Sequence, residues 1–200
     1  AMPTIQAMRL CPQLVLVPPD RPLYQRLHRQ LQDITDRFFP ETEWTSIDEF
    51  YADTTRLQTR HPDPRELGQA LKIDITRVTG LTCTIALASG KTVAKIAADA
   101  HKPDGLAVIE PGSEAAFLAP LPIRSLPGMG PKSTEAIERL GIHTVGDLLE
   151  PRFEQSLIRL LGSRLAAFQS LARGHDSDPV VADREAKSMS HETTFDEDTN

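Results

Sequence analysis

The stretch WTSIDEFYADTT, residues 44–55, decides how this chain is read. β-Branched and aromatic residues flank the pair Asp48-Glu49 on both sides, a composition that favours extended chain over helix. Two short strands with a tight turn at the acids are therefore expected. Side chains alternate between faces along a strand, but the alternation breaks at a turn, so adjacent Asp48 and Glu49 are able to converge on one site. Such a pair suits a hard cation: Mg²⁺ takes oxygen ligands, keeps several waters, and is often held by one or two carboxylates plus substrate phosphates. A solvated turn is the plainer explanation of an isolated Asp-Glu dipeptide. The rest of the chain has to decide between the two.

Two hundred residues with 40% hydrophobic and 25% charged content describe one or two small globular domains with a real core. The sequence has no apolar run long enough to span a bilayer, and its opening AMPTIQAMRLCPQ resembles neither a signal nor a transit peptide, so a cytoplasmic protein is expected. Cys11 and Cys83 form no CxxC pair and are expected to be buried, reduced thiols. The six histidines show no metal-ligand spacing. A net charge of −6 argues against a dedicated nucleic-acid binder, but the charge is unevenly spread: residues 121–174 carry +2 and residues 175–200 carry −6. Any contact with a phosphate backbone should thus lie in 121–174 and be weak and salt-sensitive.

In chain order, residues 3–10 read as a short helix and LVLVPP, residues 14–19, as a strand stopped by two prolines. Asp20 and Pro22 open a long helix whose Leu23, Leu27, Leu31, Ile34 and Phe38 form one apolar stripe. After the acidic hairpin, Asp63 and Pro64 start a second helix with Leu67, Leu71, Ile75 and Val78 on one face, ended by Gly80. Residues 81–88 and 105–110 read as strands around a small-residue helix at 90–101, an α+β layer with helices covering a sheet. From Pro111 onward short helices alternate with Gly or Pro turns, which places a domain boundary near Gly112. The acidic stretch 175–188 reads as a linker and MSHETTF, residues 189–195, as a single strand.

Two further motifs carry chemistry. In LPGMGPKS, residues 126–133, Gly128 and Gly130 permit tight backbone geometry, and the helix that follows offers unpaired N–H groups to a phosphate. With its continuation LGIHTVGDLL it looks like a helix-hairpin-helix module that grips the DNA backbone whatever the base sequence. Gly90-Lys91-Thr92 is not a phosphate loop, because the glycine required five residues upstream is replaced by Ile85. Lys102 differs: Pro103 fixes the chain behind it and Gly105 permits a sharp turn, a setting able to hold an ammonium near a metal-bound triphosphate, although taken alone Lys102 reads more simply as a surface lysine.

Ser-Ile-Asp-Glu in a hairpin, AKIAADAHKPDG, LPIRSLPGMGPKS and LGIHTVGDLL occur here in the order and spacing of the Y-family translesion DNA polymerases, and the chain resembles that family over nearly its whole length. The resemblance implies a remnant of the fingers at 1–17, a partial palm at 18–112, an all-helical thumb with the helix-hairpin-helix at 113–174, and a linker with the first little-finger strand at 175–200. It implies that Asp48 and Glu49 are catalytic carboxylates holding paired Mg²⁺ ions, that Lys102 binds the incoming deoxynucleoside triphosphate, and that Gly128, Met129, Gly130 and Lys132 meet the DNA. Partners would be primer-template DNA, the nucleotide and a sliding clamp reached through a more C-terminal segment. The reaction implied is in-line attack of a primer 3′-hydroxyl on the α-phosphate. Phe50 departs from the family, where a small residue commonly follows the acids.

By the same resemblance, the first catalytic aspartate lies upstream of residue 1 and most of the little finger beyond residue 200. The 200 residues alone are expected to be catalytically incomplete, with an exposed sheet edge open to self-association. The alternative is a non-catalytic protein that uses the helix-hairpin-helix to hold DNA or a polymerase.

Overall fold

The computed structural model describes residues 2–57 and 63–182. His61 and the expected strand at 189–195 lie outside them. Helix α1 spans Thr4–Leu10 and buries none of its residues. The expected strand at 14–19 does not form: Val15 and Val17 stand 79% and 80% exposed, and the segment joins no ladder among the described residues. A strand exists only through its ladder, and β-propensity without a partner leaves plain extended chain.

Helix α2 (Arg21–Phe38) begins as its sequence predicts, with the Asp20 carboxylate accepting from Leu23 N at 2.9 Å and proline in the first turn. Strands β1 (Thr42–Trp44) and β2 (Phe50–Ala52) pair antiparallel with Trp44 opposite Phe50. Helix α3 (Pro64–Thr79) is capped by Asp63, whose side chain accepts from Arg65 N, and ends on Gly80 at φ 73°, the left-handed conformation glycine takes without a Cβ penalty. Its Leu67, Leu71 and Ile75 are buried as expected, whereas Val78, in the last turn, is 40% exposed.

Strand β3 (Ile85–Leu87) and strand β4 (Leu106–Val108) pair in parallel, joined by helix α4 (Lys91–Ala100) as parallel strands require. The sheet layer is therefore two separate pairs, β1-β2 and β3-β4, and β3 and β4 are much shorter than the strands expected at 81–88 and 105–110. The second half comprises α5 (Glu114–Leu118), α6 (Pro131–Glu138), α7 (Glu154–Leu161) and α8 (Leu165–Ala172), with 3-10 turns between them.

Two apolar clusters hold these elements. Ile34, Phe39, Leu67, Leu71 and Ile75 join α2 to α3 and the strands, with Phe50 packed against them. The larger cluster gathers Leu118, Ile123, Leu126, Ile137, Ile142, Val145, Leu148, Leu157 and Phe168 from the helical half, and it also takes Val93 and Ile96 from α4. The helical half thus shares its interior with α4, which fixes the glycine turn at 128–130 relative to the acidic hairpin. Among the described residues no helix is long and apolar enough to cross a membrane.

Candidate functional site

The loop between β1 and β2 is closed by its own backbone. Thr45 N and Ser46 N both donate to Glu49 O, at 3.0 and 3.3 Å. The Ser46 hydroxyl donates to Asp48 Oδ1 at 2.7 Å, and His28 Nδ1 on α2 donates to Ile47 O at 2.9 Å. Aromatic packing stiffens the base: the Trp44 ring lies 4.6 Å from His28 and 4.9 Å from Phe50, and Phe50 lies 6.2 Å from Phe39. Phe50, the departure from the family pattern, thus fills the space between the hairpin and the α2–α3 core. Asp48 and Glu49 have separate partners here, Asp48 the Ser46 hydroxyl and Glu49 the Lys95 ammonium on α4.

Helix α4 supplies Lys91 and Lys95, to which no sequence motif assigns a role. Lys91, Lys95 and Asp99 recur at intervals of four and so share one face. Lys95 pairs with Glu49 and approaches Asp99 Oδ1 at 3.7 Å; Asp99 Oδ1 in turn accepts from Lys102 Nζ at 2.7 Å. A chain of alternating charge therefore links Glu49 to Lys102. The hydrogen bond to Glu49 raises the Lys95 pKa above the ordinary lysine value against the opposing effect of burial. Lys91 is more deeply held, its Nζ 2.9 Å from Glu43 Oε2, 2.6 Å from Asp178 Oδ2 and 5.5 Å from the Tyr51 ring centre. Burial pushes the Lys91 ammonium down, but its bonds to Asp178 and Glu43 outweigh that and hold its pKa above the ordinary value. Burial raises the Tyr51 hydroxyl.

The acidic segment expected to be a linker is seated as far as residue 182. The Asp176 carboxylate accepts from Thr92 N at 2.7 Å, capping α4 from outside where Gly90 has no side chain to do so. Lys91 Nζ donates to Pro179 O at 2.9 Å, and Val181 N donates to Glu43 Oε2 at 3.0 Å. The strap crosses 84 to 138 residues of sequence to make these bonds, so no local pattern announces it.

On the facing wall, Gly128 takes φ 83° before α6. Met129 is 6% exposed and its N–H donates to Leu126 O at 3.1 Å, so this amide turns inward. The amides of Gly128, Gly130 and Lys132 have no acceptor among the described residues, and all three residues are exposed. The second half of the motif is pinned by Asp147, whose Oδ2 accepts from His143 N and Thr144 N, both at 2.9 Å. Burial pushes the Asp147 carboxyl up, but those two amides outweigh it and hold its pKa below the ordinary value. Ile123 N to His143 O and Val145 N to Leu121 O, each 2.9 Å, tie the two arms together.

These walls enclose an open cleft of about 790 Å³. Tyr51, Lys91 and Lys95 line one side, the 124–130 segment the other, and Asp176 and Asp178 the strap side. Lys102 stands outside it, 55% exposed. Asp48 and Glu49 carry the hard oxygen donors that Mg²⁺ takes, each engaged by its own partner; the described residues contain no group of three or more His, Cys, Asp or Glu placed to hold a metal ion.

Residues 1–99 match the impB/mucB/samB family, and residues 111–142 match the IMS family HHH motif. The chain is 41% identical over 198 residues to DNA polymerase IV of Methanoculleus marisnigri, covering 99% of this chain and 54% of that protein. It is 42% identical over 201 residues to DNA polymerase IV of Streptomyces coelicolor, covering 99% of this chain and 42% of that protein. Among solved structures, DinB from Sulfolobus solfataricus superposes with a TM-score of 0.81 at 31% identity, covering 90% of this chain and 53% of that one. An insertion ternary complex of Dbh DNA polymerase gives 0.78 at 31% identity, covering 90% and 52%. The chain belongs to the impB/mucB/samB family, the Y-family of DNA polymerases. It spans about half the length of the relatives it matches.

Proposed function

We propose that this chain is the palm and thumb portion of a lesion-bypass DNA polymerase, with residues 18–112 as palm and 113–174 as thumb. One observation carries the reading: Lys95, which holds Glu49, and the outward-facing Gly128-Gly130 turn line opposite walls of one cleft, the placement needed to hold a duplex by its backbone beside a carboxylate centre. Asp48 and Glu49 would hold Mg²⁺, which when bound supplies positive charge to the reacting phosphates and the attacking oxygen.

The chain's own residues position and neutralise. The Gly128 and Gly130 amides and the first turn of α6 meet DNA phosphates, with Lys132 adding charge. Met129 serves as a core residue beneath the turn. Lys102 meets the triphosphate of the incoming nucleotide as a mobile point charge, and Lys95 shields Glu49 until a stronger cation takes its place. Primer-template DNA and a deoxynucleoside triphosphate are the substrates of the whole enzyme, in the cytoplasm. A sliding clamp would engage a more C-terminal segment, and the open edges of the two strand pairs are where copies would associate.

With two carboxylates and no third beside them among the described residues, these 200 residues hold DNA and do not extend a primer. Primer extension with Mg²⁺ and four nucleotides tests this, run beside Asp48→Ala/Glu49→Ala with duplex binding followed in the same samples. Extension by the unaltered chain that the double variant lacks refutes the claim of incompleteness. Absence of duplex binding by either refutes the reading as palm and thumb.

A further inference from the structure

The turn that carries Lys102 is gripped from behind by a lysine on α3. The Lys72 side chain is 12% exposed, and its Nζ points at four oxygens: Cys83 O at 2.5 Å, Asp104 Oδ1 at 2.5 Å, Asp104 O at 2.9 Å and Gly105 O at 3.3 Å. Three of the four belong to the two residues just after Lys102-Pro103, and the fourth lies two residues before β3. An ammonium has three protons, so one is shared, and all are directed into this one pocket.

The backbone here is unusual. Asp104 takes φ 50°, and a Cβ on Gly105 would fall 2.1 Å from His101 O. Such a turn brings carbonyl and carboxylate oxygens together, and the Lys72 ammonium, 12% exposed, offsets their mutual repulsion. The far side of the turn is fixed by Gly105 N donating to Thr84 Oγ1 at 3.2 Å and Ile85 N donating to Gly105 O at 3.1 Å. Lys102 itself pairs with Asp99, its single ion-pair partner among the described residues, and the turn sets only the backbone position from which its side chain starts.

We propose that Lys72 is a positioning residue for nucleotide binding: by clamping Asp104 and Gly105 it sets the backbone from which Lys102 reaches the triphosphate. The inference rests on the assignment of Lys102 to the triphosphate given above. It predicts that Lys72 and Lys102 act as one unit, which a lysine placed only for stability would not do.

The test is a double-mutant cycle read by calorimetric titration of the 200-residue chain with inorganic triphosphate and Mg²⁺. Lys102→Ala should weaken binding about tenfold, as loss of a charge-assisted hydrogen bond does. Lys72→Met should weaken it by a similar factor, and the double variant should bind no worse than Lys102→Ala alone. Folding of each variant is checked by circular dichroism. Asp104→Asn, which removes the carboxylate charge at an exposed position, gives a partial weakening that likewise vanishes in the Lys102→Ala background, and it stands in if Lys72→Met does not fold. Additive losses, or full affinity in folded Lys72→Met and Asp104→Asn, overturn the inference while leaving Lys102 in place. No loss with Lys102→Ala, or no binding by the unaltered chain, overturns the assignment of Lys102 and the inference with it.

Discussion

Replacing Lys91 with methionine should destabilise the fold strongly. The Lys91 side chain is 11% exposed and that of Glu43 7%, so their 2.9 Å pair is nearly out of water, whereas Asp178 is 58% exposed. Removing one partner of a buried pair costs about 3–5 kcal/mol because the other charge is left uncompensated. The exposed pair with Asp178 adds at most about 1 kcal/mol. Glu43 keeps its bond from Val181 N, and methionine keeps the aliphatic stem, so the lower end, about 3 kcal/mol, applies. For a chain of this size that is a fall in Tm of about 6–12 °C by thermal circular dichroism at neutral pH. Adding Glu43→Gln should recover part of the loss, since the carboxylate that faced Lys91 loses its charge while its other interactions remain. A fall below about 2 °C, or no recovery in the double variant, refutes the account of this pair. Because the Lys91 pKa is raised above the ordinary 10.5, its contribution is present below that value and is lost only as pH rises through the elevated one.

Other expectations concern caps and core. Asp147→Ala removes the acceptor of two backbone amides and should cost about 1–2 kcal/mol in urea unfolding, with far-UV circular dichroism retained. The carboxyl groups of Asp147 and Asp176 are held below their ordinary 3.8, so their contribution is present above that pH and lost as pH falls through the lowered values; acid titration of Asp176→Asn should show a shallower loss than the unaltered chain. Leu71→Ala, at a position 3% exposed between α2 and α3, should cost about 2–5 kcal/mol by the same denaturant measurement.

Elements with local signals were legible in the sequence. Asp20 with Pro22, and Asp63 with Pro64 and Gly80, mark α2 and α3 because caps and left-handed turns are chemistry within a few residues. The hairpin around Asp48-Glu49 and the Gly128 turn formed for the same reason. Strand extent did not follow, since residues 14–19 have the composition of a strand and no strand to pair with among the described residues. In the site, Asp48, Glu49 and the glycines were visible as motifs, while the inward turn of the Met129 amide depends on Leu126 and the core beneath it. Lys91 and Lys95 were seen only as part of a rejected phosphate loop and a helix. Their i, i+4 spacing with Asp99 marked one charged face, but the partners Glu43 and Glu49 lie 48 and 46 residues away.

Salt-dependent binding of a primer-template duplex tests the central claim most directly. Fluorescence anisotropy of a labelled duplex, titrated with the 200-residue chain and with Gly128→Val/Gly130→Val, reads the grip of the glycine turn. Contacts to two or three phosphates predict affinity falling about tenfold to fortyfold between about 50 and about 200 mM salt, whatever the base sequence. The double glycine variant should bind more weakly with a shallower salt slope while keeping its helical spectrum. Binding that ignores salt, or that is unchanged when both glycines are blocked in a folded chain, would contradict the assignment of this cleft to the DNA backbone.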